Sequence, residues 1–531
     1  MSWHGVGTMA WIDLRTGWKG MLAWIVGLVG IMAVTGSSIT SLYDTPEKLK
    51  GYADTLTGGA IYMINGRVAG VDTLGGVVAS EFGSVVSFAV PLMAIALTSR
   101  ATRKDEAAGR LELLLASAIG RHAPILAAVL VATAGLLATG LGCTAVMVAV
   151  GAAPGPSLLY GLAMAALGLF FVGVTAFAAQ LVEHNRSVWG LALVVVVVSY
   201  LLRGVGSVQD SALVWASPHG WFDEVRSFGD DARMWPVLLT LGAGLTLVGL
   251  AFWLSTRRDV GSALIQSRGA RPRASAFLRS PIGLAWRDHR GAIVGWTVGS
   301  AVLMGTYGSL SQEILDAIAD NPALGDAMGA TPGAADQLLA TVMSTFLMML
   351  AMLAAAFAVM ALGSLRSEEE SGRLEAQLSG PESRTAWLGV HLAIAALGLL
   401  IVGAAGALSL AAATAASTGD DAWFGEILRG AVRYLPAALV FLALTAAAFG
   451  LMGKARGPAW ALFGVAAVVA YLGPGFDLPT WVVRASPFQS DGADLISAGA
   501  DRTAIGVLLG VTAVLVLAAL VGFRRRDIPR L

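Results

Sequence analysis

The sequence predicts an all-α polytopic membrane protein of about 12 transmembrane helices, built as two parallel six-helix pseudo-repeats. Three observations carry this expectation. Apolar runs of about 20 residues recur along the 531-residue chain, each long enough to cross a bilayer as a helix. Charged residues make up 13% of the chain, about half the share usual in a soluble protein, and the mean hydropathy is +0.72. A charged segment between the second and third apolar runs returns, with the same residue types, 263 positions later.

The first run, 21–42, follows Arg15 and Lys19 and so has the outline of a signal peptide. It is longer than the roughly 7–15 residues of a secretory h-region and reads as a retained first span. Further runs lie at 77–98, 123–151, 157–181, 187–204 and 236–255. A second set occupies 291–310, 338–364, 386–415, 430–452, 457–473 and 504–523. Between the sets, 255–280 is polar and rich in Arg and Ser. It divides the chain into a first half at 1–255, a linker with the start of the next entry helix at 256–285, and a second half at 286–531. The loops 43–76, 205–235 and 474–503 are long enough for short interfacial helices.

Basic residues set the expected orientation. Arg100, Arg103, Lys104, Arg110 and Arg121 fall between spans two and three, and eight arginines from Arg257 to Arg290 fall between spans six and seven. Asp223, Glu224, Asp230 and Asp231 occupy an alternate loop, as do Glu313, Asp316, Asp320, Asp326 and Asp336. The positive-inside rule then places both termini in the cytoplasm.

Several function classes find no support. The formal net charge is zero, so no basic field points to nucleic acid. The lone cysteine, Cys143, sits inside an apolar run and reads as a small packed residue. No G-x-x-x-x-G-K-[ST] phosphate loop occurs, since Gly453-Lys454 is followed by Ala455. The six histidines form no metal-ligand pattern, and no Gly-x-Ser-x-Gly element is present. The expectation is a chain with no catalytic residues, no metal site and no cofactor of its own, and not an enzyme.

The repeat carries the functional reading. Residues 103–121 read RKDEAAGRLELLLASAIGR and residues 366–384 read RSEEESGRLEAQLSGPESR. Arg103, Glu106, Gly109, Arg110, Glu112 and Leu115 match Arg366, Glu369, Gly372, Arg373, Glu375 and Leu378. Ser217-Pro218 and Ser486-Pro487 both precede the last span of their half, and Trp24-Ile25-Val26-Gly27 resembles Trp296-Thr297-Val298-Gly299. An even number of spans per half keeps both copies in one topology. Topology needs only Lys and Arg in such a loop, so a repeated Gly-Arg-Leu-Glu calls for another cause. Leu111, Leu114, Leu115 and Ala118 form one helical stripe flanked by Arg110 and Glu112, as in a docking helix. Gly109 and Gly372 permit close backbone approach or a bend where the membrane helix ends, and Pro381 should stop the second copy.

These features resemble type-2 ABC exporter permeases. The fused double-length form resembles the actinobacterial tetronasin-resistance type, described as exporters of polyketide antibiotics. The resemblance implies that 103–121 and 366–384 are coupling helices, and that an amphipathic elbow helix precedes each half's first span, at about 8–20 and 275–290. It implies two copies of a cytoplasmic ABC ATPase as partners, which bind ATP and Mg2+, in a bacterial plasma membrane. It also implies a central cavity for an amphipathic small molecule, with Met93, Met343, Met348, Met349 and Met352 as candidate lining. Gln377 and Pro381 depart from the first copy's apolar pattern, so the two halves need not engage their ATPases equally. The rival expectation is a proton-coupled secondary transporter of 6+6 type, disfavoured by the scarcity of ionisable residues within spans. A membrane scaffold or sensor is a third.

Overall fold

The computed structural model describes residues 3–43, 45–55, 62–63, 65–107, 119–257, 264–265, 275, 277–319, 334–380, 382–453, 456–473, 479–489, 496 and 501–527. The described chain is α-helical, and its one β-bridge is the isolated pair Val182 and Ile265. Two compact units form, Met1–Gly269 and Ala270–Leu531.

The first unit contains α1 (Val6–Leu42), α2 (Leu74–Ser99), α3 (Ala123–Ala149), α4 (Pro154–Leu181), α5 (Asn185–Val208) and α6 (Trp235–Ser255). Pro at the first turn of α3, α4 and α6 supplies a fixed φ where no intrahelical N–H is needed. At its centre, α4 is the most buried span. It crosses α3 where Gly140 and Gly161 meet backbone to backbone, leaving no room for a Cβ on either. The apolar core gathers around α2, α3 and α4, with Phe82, Met93, Leu136 and Phe171 fully buried.

The second unit contains α7 (Pro281–Ser309), α8 (Ala334–Gly363), α9 (Arg384–Thr418), α10 (Ala422–Met452), α11 (Arg456–Leu472) and α12 (Arg502–Arg525). Among the described residues, eleven helices are long and apolar enough to span a membrane, and the apolar stretch Gly457–Tyr471 of α11 is shorter. That stretch covers about 23 Å at 1.5 Å per residue, below the ~30 Å hydrocarbon thickness. The expected twelfth span is therefore a helix in the right place but of marginal length.

The separate elbow helices expected at 8–20 and 275–290 do not form. A single uninterrupted helix runs through the first of these regions into its span, and α7 does the same from Pro281. No proline interrupts the hydrogen-bond ladder within either. Arg100 holds the junction of the first, donating to Thr16 Oγ1 at 2.7 Å and packing over Gly17. In α7, Ser280 caps Gly283 N at 3.1 Å and Pro281 stands as the first helical residue, so the helix starts cleanly and continues to Ser309. The expected short helices between spans are present, at Pro46–Thr55, Pro218–Asp223 and Thr480–Ala485. The linker is tied to the first unit, because Ile265 N donates to Leu181 O at 2.9 Å.

Candidate functional site: the charged elements and the cap

Each half carries its charged element at the end of its second span. In the first half, α2 passes into a π-helical turn, Arg100–Lys104, then Asp105–Ala107. This turn swings Arg103 inward. Its Nη1 lies 2.7 Å from Glu106 Oε2 and its Nε donates to Val182 O at 2.7 Å. Both side chains are almost fully buried. Gly109, Arg110, Glu112 and Leu115, with the rest of 108–118, lie outside the described residues.

The second copy is described through Gly380 and shows the bend. Leu365–Glu370 is one short helix and Arg373–Leu378 another, and Gly372 between them has φ +71°. A residue with a Cβ is strained there, which is the physical reason for glycine at this step. Glu369 is buried against Arg366 Nη1 at 3.5 Å and accepts from Arg526 Nη2 at 2.5 Å. Arg526, at the chain's far end, also donates to Phe449 O at 2.5 Å. On the outer face, Arg373 makes a two-pronged bond to Glu368 at 2.6 and 2.8 Å, and Glu375 is exposed. Leu374 is fully buried beneath them, while Leu378 is half-buried. Gln377, which interrupts the apolar stripe, accepts from Trp387 Nε1 at 2.6 Å.

The matched charges thus separate into two kinds. Arg103, Glu106 and Glu369 face inward and staple the element to its own half, so they present no charge to a partner surface. Arg373 and Glu375 face outward, and Arg366 is one-third exposed. Sequence reading groups all of these as contact residues, because spacing alone does not tell a buried ion pair from an exposed one.

The opposite end of the first half holds a second polar cluster. After α5 the chain turns back as Ala212–Ala216 and Pro218–Asp223, a cap seated against α2 and α5. Ser217 Oγ donates to Ser199 O at 2.5 Å and accepts from Gly220 N at 3.2 Å. Ser486 Oγ makes a similar back-bond to Ala466 O at 2.9 Å, so the repeated Ser-Pro step is tied to the span before it in both halves. Arg203 of α5 is fully buried below the cap. It donates to Met63 O at 3.1 Å, lies 3.7 Å from Asp223 Oδ2, and stacks over Tyr200 at 4.6 Å. Burial outweighs the pull of Arg203 and pushes the Asp223 carboxyl up to about 7. Beside it lies a cavity of about 20 Å³, lined in part by Asn65, Gly83, Tyr160 and Ser227. That is room for one water.

Met93, Met343 and Met348 are buried in their own halves, receiving bonds from Thr139, Thr414 and Gln489 at 3.6, 3.5 and 3.4 Å. Met349 and Met352 are half-buried. The structure also brings together His289 and His391, with ring nitrogens 3.1 Å apart. Among the described residues no third ligand joins them, and no group of three metal-binding side chains occurs.

Comparison with known proteins locates the chain among transporters. The family model described as "Multidrug efflux system permease Rv1217c, C-terminal domain" matches residues 8–254 and again residues 278–524. The multidrug efflux system permease protein Rv1217c of Mycobacterium tuberculosis (strain ATCC 25618 / H37Rv) is 33% identical over 466 residues, covering 86% of this chain and 83% of that protein.

Proposed function

This chain belongs to the multidrug efflux permease family, and on that premise we propose that it is the membrane subunit of an ATP-driven exporter of the ABC-2, tetronasin-resistance type. Its cargo is an amphipathic drug or antibiotic, and it works in the bacterial plasma membrane. Two copies of a cytoplasmic ATPase dock on the charged elements, one under each half, with the chain's termini on the same side. ATP and Mg2+ bind to those partners. Closure of the ATPases displaces the two elements, the halves rock, and the substrate path changes sides.

The observation that supports this reading best is the second charged element. It is a short helix, set at an angle by Gly372, stapled from below through Glu369 and presenting Arg373 and Glu375 outward. A part held rigidly at its base and charged on its face transmits force from a partner. A loop that only solubilises the chain has no need of a buried ion pair at its root.

Glu375→Lys tests it. Glu375 is exposed, so the variant should insert and melt like the wild type, within the ~0.5 kcal/mol typical of surface changes. Drug efflux should fall about tenfold, the scale of a coupling energy between two sites. Wild-type efflux from the Glu375→Lys variant would refute the docking role. Efflux that persists without ATP but stops when the proton gradient collapses would replace the exporter reading with the secondary transporter. Co-purification with an ATPase, lost in Glu375→Lys, is the direct complement.

A further inference from the structure

Pro91 lies inside α2. It has no N–H, so the carbonyl of Ser87, four residues earlier, loses its intrahelical donor. His219 of the cap supplies the replacement, with Nε2 at 2.8 Å from Ser87 O. A carbonyl only accepts, so Nε2 carries the proton, and Nδ1 accepts from Ser199 Oγ at 2.5 Å. The ring is buried and packs against Phe171 at 5.5 Å. One neutral imidazole thus joins the cap, the middle of α2 and α5.

The second half lacks both members of this contact. Counting from the shared charged element, Ala354 stands 263 positions after Pro91 and keeps its N–H. Counting from the shared Ser-Pro step, Phe488 stands 269 positions after His219 and stacks on Phe441 at 5.1 Å. At the positions that match Pro91 and His219, the second half has neither the orphaned carbonyl nor the imidazole donor. Arg203 shows the same pattern: counting from the same Ser-Pro step, Leu472 stands 269 positions after it.

The same α2 ends at the Arg103–Glu106 staple, about 24 Å of helix beyond Ser87 at 1.5 Å per residue. A helix with a proline at mid-length and a fixed charged root is a lever with a joint. We propose that His219 is the bolt of an exit gate confined to the first half: displacement of the charged element flexes α2 at Pro91, the His219–Ser87 bond breaks, and the cap at 217–223 swings away from α5. The gate rests on the export reading above. His219 is a positioning residue here, since it touches α2 and α5 and acts on the path through the cap.

The second half's own pairing supplies a variant that keeps the fold. Pro91→Ala restores the donor for Ser87 O, and His219→Phe introduces the residue that packs beside Phe441 in the other copy. The double variant should purify as folded protein with a melting point at or above the wild type, yet export drug about tenfold more slowly, a typical coupling energy between two sites. A merely structural His219 predicts unchanged efflux from that folded protein, and this result would overturn the gate. A reversible lock decides independently of folding. Ser199 Oγ and Ser217 Oγ lie 3.1 Å apart, so Ser199→Cys with Ser217→Cys, in a Cys143→Ala background, places two thiols within bonding reach. Oxidation should stop the efflux that the reduced double-cysteine variant shows and reductant should restore it, while oxidation leaves each single-cysteine variant at its own reduced rate. Full efflux with the disulfide quantitatively formed would also overturn the proposal. Wild-type cells report export itself, so failure of the exporter reading and failure of the gate register separately.

Discussion

Glu106→Lys is expected to destroy the first half's charged element and most of the folded protein with it. The carboxylate sits 2.7 Å from Arg103 and both groups are out of contact with water. Removing one partner of a buried ion pair typically costs about 3–5 kcal/mol, because the other charge is left unpaired. Reversing the sign adds repulsion to that loss. A domain's whole margin is about 5–15 kcal/mol, so the variant should aggregate or melt tens of degrees early, as read by size exclusion after graded heating. Glu369→Lys should be as harmful, because it leaves Arg366 and Arg526 facing a third cation. The exchange Arg103→Glu with Glu106→Arg should recover part of the loss. The contrast with Glu375→Lys is the decisive feature: an equal charge reversal, on the outward face of the matching element, is expected to spare the fold and remove transport. If Glu106→Lys melts like the wild type, the inward staple is not what holds the element.

The second large effect is a pH dependence carried by Asp223. Its carboxyl rises from an ordinary 3.8 to about 7, chiefly through burial, with Arg203 pulling the other way. An unfolded or water-exposed Asp223 returns to the ordinary value. Between roughly pH 4 and pH 7 the folded cap therefore binds a proton that the open chain does not, and acid favours the folded, closed state. Stability should fall as pH rises through this window and level off above about 7. This is the reverse of a carboxylate whose ion pair depresses its titration. A rise of that size corresponds to about 4 kcal/mol at most. Asp223→Asn carries the neutral shape at every pH, so its melting temperature should lose this slope between pH 4 and 7. Parallel pH profiles for the two proteins would remove Asp223 from the account. The groups around it are Arg203 and Tyr200 on α5, Tyr160 on α4, and Glu224, Arg226 and His219 on its own loop. For the gate, the sign implies that hydration and ionisation of Asp223 go with opening, and that acid holds the cap shut.

Much of the architecture is legible because it rests on length and periodicity. The runs at 123–151 and 157–181 are α3 and α4 nearly to the residue, and Gly372 marks the bend seen at φ +71°. The elbow helices mislead for a specific reason. Arg15, Lys19, Trp11 and Trp18 suit an interface, but nothing in the chain breaks helical hydrogen bonding there, and Arg100 from another helix closes over Gly17. Arg526 reads in the sequence only as a topology-setting charge, because its partners Glu369 and Phe449 lie 157 and 77 residues away. Pro91 is the signal that periodicity alone passes over. A proline inside a span demands a donor from elsewhere, and His219 is one of only six histidines in the chain.

A permease assembled from two identical chains would have to accept every substitution twice, once on each side of its axis. Joining the copies end to end lifts that constraint. The Ser-Pro step bears the mark of that freedom: one copy keeps His219 over a helix with a proline in it, and the other keeps Phe488 where the matching position is Ala354. On the gate proposal, the first copy is the moving jaw and the second its anvil. Swapping the two copies' caps within one gene would then ask whether the division of labour belongs to the caps or to their place in the chain.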